Sequence, residues 1–586
     1  MNKIKSFFNK IPRRFLIVCY TLLAISYTLS VSAADAPAVL SDSDADIYAQ
    51  IFQLQSDEKI AAAAELQKNL EDPLLMPEVL FQRYTSKTYK SKGAEIADWM
   101  RNYSDQPGAD RIEKIGKIKK VETVKARLPV LANAPDEDSA KSESWTAKDY
   151  GGTAGKKISQ LRNALKQGNT KNARNILESA EFQKLVSKSD WGRLAGRLAF
   201  VYYADGEFEM AESFGKKSAD LHSEYGLWTM GLLSFKQEKY VESQNYFADL
   251  TDLDHINNAR KIEAAFWAGR ASEMAGDEKI AKQFWQIGAA SPQLFYGALS
   301  AAMLGQTPKY EFFDKDYSDE DVYELTETDY GKRAIAFLQI GDKIRAEKYL
   351  RMLVTSKASD KLLRAVYSVA ASNELPRVSM QVSGIIKSRG FMEIDDNVIF
   401  SAQYPLPDWE PIGGWSIDRA LLFAITRQES GFRTTAESGK GAKGVMQMMP
   451  ATAKMVASKN NVSMKDLDVC NPEHNMFLGQ QYIVDLLALP TIDNNVIKML
   501  AAYNSGDGAV VKFEKNFETS DPLLYIESFP NVETRAYIKR VVSNLWLYRA
   551  KLGQPLTSLE DLANGKWPLY SSEDEFVQNN IDNKTI

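Results

Sequence analysis

The chain has 586 residues, 44% of them hydrophobic and 25% charged, with a formal net charge of −5. That length exceeds what one hydrophobic core can organise, so two or more domains are expected. The composition excludes collagen, coiled-coil and wholly disordered classes, and the acidic balance argues against binding nucleic acid through its phosphates.

Residues 1–33 read as a secretory signal peptide. Lys3, Lys5, Lys10, Arg13 and Arg14 form a positive n-region, Phe15 to about Leu29 is apolar, and Val31-Ser32-Ala33 offers a cleavage site before Ala34. The expectation is a periplasmic protein, cleaved after Ala33 and without stable membrane insertion. An uncleaved anchor is the alternative, because the apolar run approaches spanning length. Removal of five cations and no acid takes the remainder to −10. Cys19 would leave with the leader, so Cys470 remains alone, reads as a small buried hydrophobe, and excludes an intramolecular disulfide.

Residues 34–130 are expected to be helical, with Asp42 to Leu66 rich in Ala, Leu and Glu and with Pro73 and Pro77 breaking the pattern beyond it. Residues 131–155 shift to Ala, Ser, Asp, Glu and Gly and read as a linker or loop. Residues 156–400 carry an irregular repeat. In three of its units a Gly turn is followed five positions later by a small residue: Gly206 with Ala211, Gly276 with Ala281, Gly341 with Ala346. A fourth places Tyr240 and Ser243 where Phe208 and Ala211 stand. Ala211 and Ser243 are 32 positions apart, and Ala281 and Ala346 are 65 apart. Such a pattern predicts antiparallel helix pairs stacked as a tetratricopeptide-like superhelix. Residues 401–415 hold three prolines and Gly413-Gly414 and read as a semi-rigid connector. Residues 416–552 form a last domain and 553–586 a tail, loosely ordered from 571. No alternating strand pattern is visible, so the fold class is all-α.

Within 416–552 an apolar helix closes on Arg427-Gln428-Glu429-Ser430, with Gly431 as terminator. A carboxyl at a helix end, sheltered by apolar groups, keeps its proton to higher pH and can deliver it to a glycosidic oxygen. On position alone such a Glu is more often a solvated surface residue. Gly444-Val445-Met446-Gln447-Met448-Met449-Pro450 then supplies tight turns, an amide and soft apolar groups suited to a sugar face. Taken without Glu429, a loop before a Met-rich core helix is the plainer reading. Tyr503-Asn504-Ser505-Gly506 ends another apolar helix, read either as a turn or as Tyr and Asn facing a cleft. A helix beyond Pro530 carries Glu533, Arg535 and Tyr537; Arg535 and Glu533 also read as an ordinary surface pair.

These four segments, in this order and spacing, resemble the soluble lytic transglycosylases, which cleave the glycan strands of bacterial peptidoglycan. The resemblance covers 416–552; helical units ahead of it, including Phe295-Tyr296-Gly297, are similar to that family's superhelical part. It implies a goose-lysozyme-like helical catalytic domain behind an N-terminal superhelix. Glu429 would be the single catalytic acid and base, with Ser430 supporting its setting. Ser438, Gln447, Met449 and Tyr503 would line the saccharide cleft, joined by Asn504 and Tyr537, and Glu533 would be a second cleft acid. Val445 stands where the family has Leu, and Ser505 where it has Ala.

The implied reaction breaks the β-1,4 bond between N-acetylmuramic acid and N-acetylglucosamine and closes a 1,6-anhydro ring. A goose-type lysozyme hydrolase and a non-enzymatic glycan-binding repeat scaffold remain open beside it. No cofactor is expected: His222, His255 and His474 are scattered, no His-Glu-x-x-His motif occurs, and no Gly-rich phosphate loop is visible. Peptidoglycan is the expected partner.

Overall fold

A computed structural model describes residues 38–132, 150–310, 312, 317–390 and 400–575. The signal-peptide reading of 1–33, most of the 131–155 linker and the last eleven residues of the tail lie outside them. Among the described residues the secondary structure is helical, with extended pairing limited to isolated bridges. The all-α expectation is borne out.

The repeat physics shows in the turns. Helix Lys188–Ala204 gives way to Phe208–Ala219 through Gly206 at φ +80°, and Asn258–Met274 to Glu278–Ala289 through Gly276 at φ +89°. The unit lacking glycine makes the same left-handed turn with Glu238, at φ +60°. The small residues beyond these turns, Ala211, Ser243, Ala281 and Ala346, are all fully buried. Closeness of the stack is visible at Gly196, where a Cβ would come within 2.6 Å of the Gly226 backbone nitrogen. Only residues without side chains permit that approach.

The chain divides into two units: Met1–Ala134 with Asp314–Ile394, and Pro135–Phe313 with Asp395–Ile586. The stretch expected as one solenoid, 156–400, is therefore shared between them. In the first unit, buried Glu78 receives both bonds of the Lys348 ammonium at 3.0 Å. The Gln339 amide oxygen accepts from Val39 and Leu40 at 3.2 and 3.0 Å. These partners are 270 to 300 positions apart in sequence, which is why composition drew the boundary elsewhere.

The second unit joins repeat helices to the C-terminal helices. Phe295 stacks on Trp546 with ring centroids 5.2 Å apart, Tyr203 Oη and Ser528 Oγ share a hydrogen bond of 2.8 Å, and Arg270 meets Asp521 at 2.9 Å. The connector is anchored by buried Tyr404 and Trp415, and Arg427 donates to the Gln403 carbonyl at 2.9 Å while lying 4.4 Å from the Tyr404 ring centroid.

Two expectations need correction. Cys470 is exposed, in a polar turn between Asp468 and the Asn471 cap, so it is not a core hydrophobe. The segment after 552 does not behave as a tail through residue 575. Helix Thr557–Ala563 buries Leu559 and Leu562, Tyr570 N donates to Asn494 O at 2.8 Å, and buried Asp574 holds Arg419 Nε at 2.8 Å. Fully buried Asp418, just before the Glu429 helix, accepts from Ser572 Oγ at 2.7 Å, Glu573 N at 3.1 Å and Arg549 at 3.3 Å. A carboxylate sealed from water needs such donors, and they come from a polar stretch that carried no periodicity.

Candidate active site

The helix Arg419–Ser430 buries every residue from Ala420 to Thr426. Gly431 adopts φ +55° and donates to Arg427 O at 3.0 Å, ending the helix where glycine can turn left-handed without strain. Glu429 sits on the last turn, partly buried. Burial pushes its carboxyl up to about 7; the Tyr537 hydroxyl partly offsets this, and Glu533 adds a further push upward.

Tyr537 and Glu533 come from the long helix Val532–Lys551. Asn531 caps that helix by accepting from Glu533 N at 2.9 Å, which leaves Glu533 exposed in the first turn. Tyr537 is buried, and among the described residues its hydroxyl makes no hydrogen bond of ordinary geometry. Its ring stacks on Tyr503, centroids 6.5 Å apart and planes 7° from parallel. Both phenols are held above their ordinary range by burial first and by the neighbouring Glu429 second.

Tyr503 ends the apolar part of helix Val496–Ser505. Its hydroxyl donates to Met446 O at 2.9 Å and lies 3.7 Å from Met448 Sδ. Asn504 accepts from Thr534 Oγ1 at 2.7 Å, so its amide oxygen ties two helices together rather than standing open to a cleft. Ser430 Oγ donates to Thr426 O at 3.2 Å, back along its own helix.

The Met-rich loop is stiffer than its sequence suggested. Lys443 pairs with Met448 through both backbone bonds, at 2.9 and 3.0 Å, closing a tight reversal with Gly444 at φ +79° and Gln447 at φ +49°. Buried Asn475 braces it: its Oδ1 accepts from Met446 N at 2.8 Å, and its amide nitrogen donates to Lys443 O and Val469 O at 3.1 and 3.0 Å. A Cβ on Gly444 would lie 2.2 Å from that nitrogen, so this position admits only glycine.

The consequence is a correction to the apolar sugar face. Met446 and Met448 are core residues at 0% and 3% exposure, and Met449 alone reaches the surface, at 41%. Gln447 Nε2 donates within the loop, to Gly444 O at 2.9 Å and Ala436 O at 3.2 Å, so only its oxygen is left for a partner outside. Ser438 Oγ accepts from Ala442 N at 3.0 Å and shapes the same loop. Asn475 escaped the sequence reading because a buried side-chain brace leaves no periodic signal. An Asn in the first turn of a helix capped by Asn471-Pro472 was the one hint.

The structure thus gathers Glu429, Tyr503, Tyr537 and Glu533 from three helices, with Tyr503 tied to the Met446 carbonyl. One carboxyl is sheltered and able to hold a proton near neutrality, and a second stands exposed beside it. Among the described residues no cluster of three His, Cys, Asp or Glu suited to a metal ion occurs.

Residues 411–526 match the family described as the transglycosylase SLT domain. The soluble lytic murein transglycosylase of Escherichia coli is 35% identical over 149 residues, which is 25% of this chain and 22% of that protein. That match thus spans about a quarter of either chain. Among solved structures, an inactive mutant of the lytic transglycosylase Slt from Pseudomonas aeruginosa aligns over 88% of both chains, with TM-score 0.52 and 17% identity. The 70 kDa soluble lytic transglycosylase of Escherichia coli aligns over 90% of this chain and 100% of its own, with TM-score 0.51 and 17% identity. The structural likeness shows a shared fold, extending well beyond the segment that sequence identity reaches.

Proposed function

We propose that this chain, whose residues 411–526 belong to the transglycosylase SLT domain family, is a peptidoglycan lytic transglycosylase acting in the periplasm. The observation that carries the reading is the sheltered Glu429 carboxyl, pushed up to about 7 and faced by Tyr537 and Tyr503.

Glu429 protonates the oxygen of the β-1,4 bond between N-acetylmuramic acid and N-acetylglucosamine, and that bond breaks. The electron deficiency at the muramic carbon is met by the substrate's own acetamido oxygen. Glu429, now a carboxylate, takes the proton of the C6 hydroxyl as that oxygen attacks the same carbon, releasing the acetamido group and closing the 1,6-anhydro ring. The proton that left Glu429 is restored and no water enters. One carboxyl suffices because the nucleophile is tethered, which gives it the entropic advantage of an intramolecular reaction. Glu533, exposed near the entrance, assists binding or proton handling. Met449, the Gln447 oxygen and Ser438 contribute the loop side of the saccharide groove.

The test is product analysis on purified sacculi. Wild-type protein is expected to release muropeptides lighter by one water than hydrolytic products, and Glu429→Gln to release none. Reducing-end muramic acid would instead mark a goose-type hydrolase. An inactive wild type would mark a binding scaffold, and an active Glu429→Gln would remove Glu429 from the chemistry.

A further inference from the structure

The repeat helices meet the catalytic helix Val532–Lys551 through a buried charged cluster that the reaction above does not use. Lys539 projects between two carboxylates, Glu527 at 2.8 Å and Glu263. Glu263 also pairs with Arg260, which reaches Glu224 at 2.9 Å and lies 4.0 Å from the Trp228 ring centroid. Glu527 accepts the Tyr296 hydroxyl at 2.5 Å, and Tyr296 Oη accepts from Trp267 Nε1 at 3.2 Å. Arg535, one turn before Lys539, lies 4.3 Å from the Phe200 ring centroid; burial holds its guanidinium below the ordinary range, against the attraction of Glu527 and Glu263. Arg260, Arg535 and Lys539 therefore balance Glu224, Glu263 and Glu527. Burial works against the Lys539 charge, yet the two carboxylates outweigh it and hold the ammonium above its ordinary range.

Buried ion pairs of this kind seldom add more stability than well-packed apolar groups would. What they add is register. An apolar contact between helices tolerates a small rotation or slide, whereas an ammonium seated between two carboxylates does not. Lys539 lies two residues beyond Tyr537, which at about 100° per residue places them on nearly opposite faces of the helix. One face is gripped by the repeats and the other carries Tyr537, whose ring stacks on Tyr503.

We propose that Lys539 is a positioning residue whose bridge to Glu263 and Glu527 fixes the rotation of helix Val532–Lys551 and so sets how Tyr537, stacked on Tyr503, stands beside Glu429. On this view the repeat helices act on the acid itself as well as carrying its domain. The significance for catalysis rests on Glu429 being the acid, but the coupling can be read without any turnover.

The experiment monitors the Glu429 side chain by carbon-13 NMR in the full-length protein, its resonance assigned by loss in Glu429→Gln. The groups facing that carboxyl are Tyr537, Tyr503 and Glu533. Tyr537 favours the ionised acid, so Lys539→Met is expected to raise the Glu429 midpoint by ~0.5 unit or more. Tyr537→Phe should do the same, and the double variant should go no further than the larger single shift. In parallel, kcat on sacculi should fall with KM little changed. A folded Lys539→Met protein that titrates like the wild type, or shifts that simply add, would overturn the proposal. Should Lys539→Met not fold, Glu263→Gln keeps the shape and removes one carboxylate, with the same rise expected and an unchanged titration equally fatal. An inactive wild type would sink the enzymatic reading while leaving this coupling measurable.

Discussion

The Tyr503 hydroxyl donates to the main-chain carbonyl of Met446 at 2.9 Å, joining the end of one helix to the middle of the Met-rich loop. Met446 is fully buried, and its carbonyl holds the hydroxyl of Tyr503, the ring on which Tyr537 stacks. Tyr503→Phe keeps the ring and deletes the bond. It should cost about 1 kcal/mol of unfolding free energy in urea titration and lower turnover of sacculi more than that loss of stability accounts for.

A carboxyl held up to about 7 in the folded state opposes folding once it ionises. Below the ordinary carboxyl range both folded and unfolded chains hold the proton and no penalty exists. The penalty grows as pH rises through the gap and is complete above the folded-state value. Glu429→Gln should therefore be more stable than the wild type at pH 8.5, by up to roughly 3 kcal/mol, with the difference vanishing below pH 4. Thermal unfolding across that range measures it, and equal stability at pH 8.5 would show that the acid is not sheltered.

In the reaction proposed above, the same carboxyl sets the pH dependence. Bond cleavage there starts from protonated Glu429, so kcat should decline as pH rises through about 7. A Glu533→Gln variant removes the neighbouring negative charge that pushes the acid upward, so its decline should begin at lower pH. A steady-state pH profile of both proteins checks the sign.

Glu238 occupies at φ +60° the turn position that Gly206, Gly276 and Gly341 occupy elsewhere in the repeats. An ordinary side chain pays for the left-handed conformation, whereas glycine does not. Glu238→Gly should stabilise the protein by about 0.5 kcal/mol, because the relief of strain slightly exceeds the entropy glycine adds to the unfolded chain. Comparison of denaturation midpoints decides it.

Residues beyond Trp567 supply the donors that satisfy Asp418 and the carboxylate that pairs with Arg419. A chain ending at Trp567 leaves Asp418 buried against Arg549 alone, short of its remaining bonds. It should lose roughly 3 kcal/mol of stability, visible as a lower melting temperature. An unchanged melting temperature would mean that the segment is dispensable.

The helical class, the repeat turns and the acid at the helix end were all legible in the sequence, because each rests on neighbours a few positions apart. Glycine five residues before a small residue marks a turn and a close contact. An apolar run ending in Glu-Ser-Gly marks a helix terminus with a carboxyl on it. Other features were decided only when the chain came together: the pairing of 314–394 with the N-terminal helices, the docking of 553–575, and the burial of Met446 and Met448. So were the Asn475 brace and the cluster around Lys539. Each of these joins residues through a third dimension in which sequence distance carries no energy, and a buried polar side chain takes its partner from wherever the fold brings one.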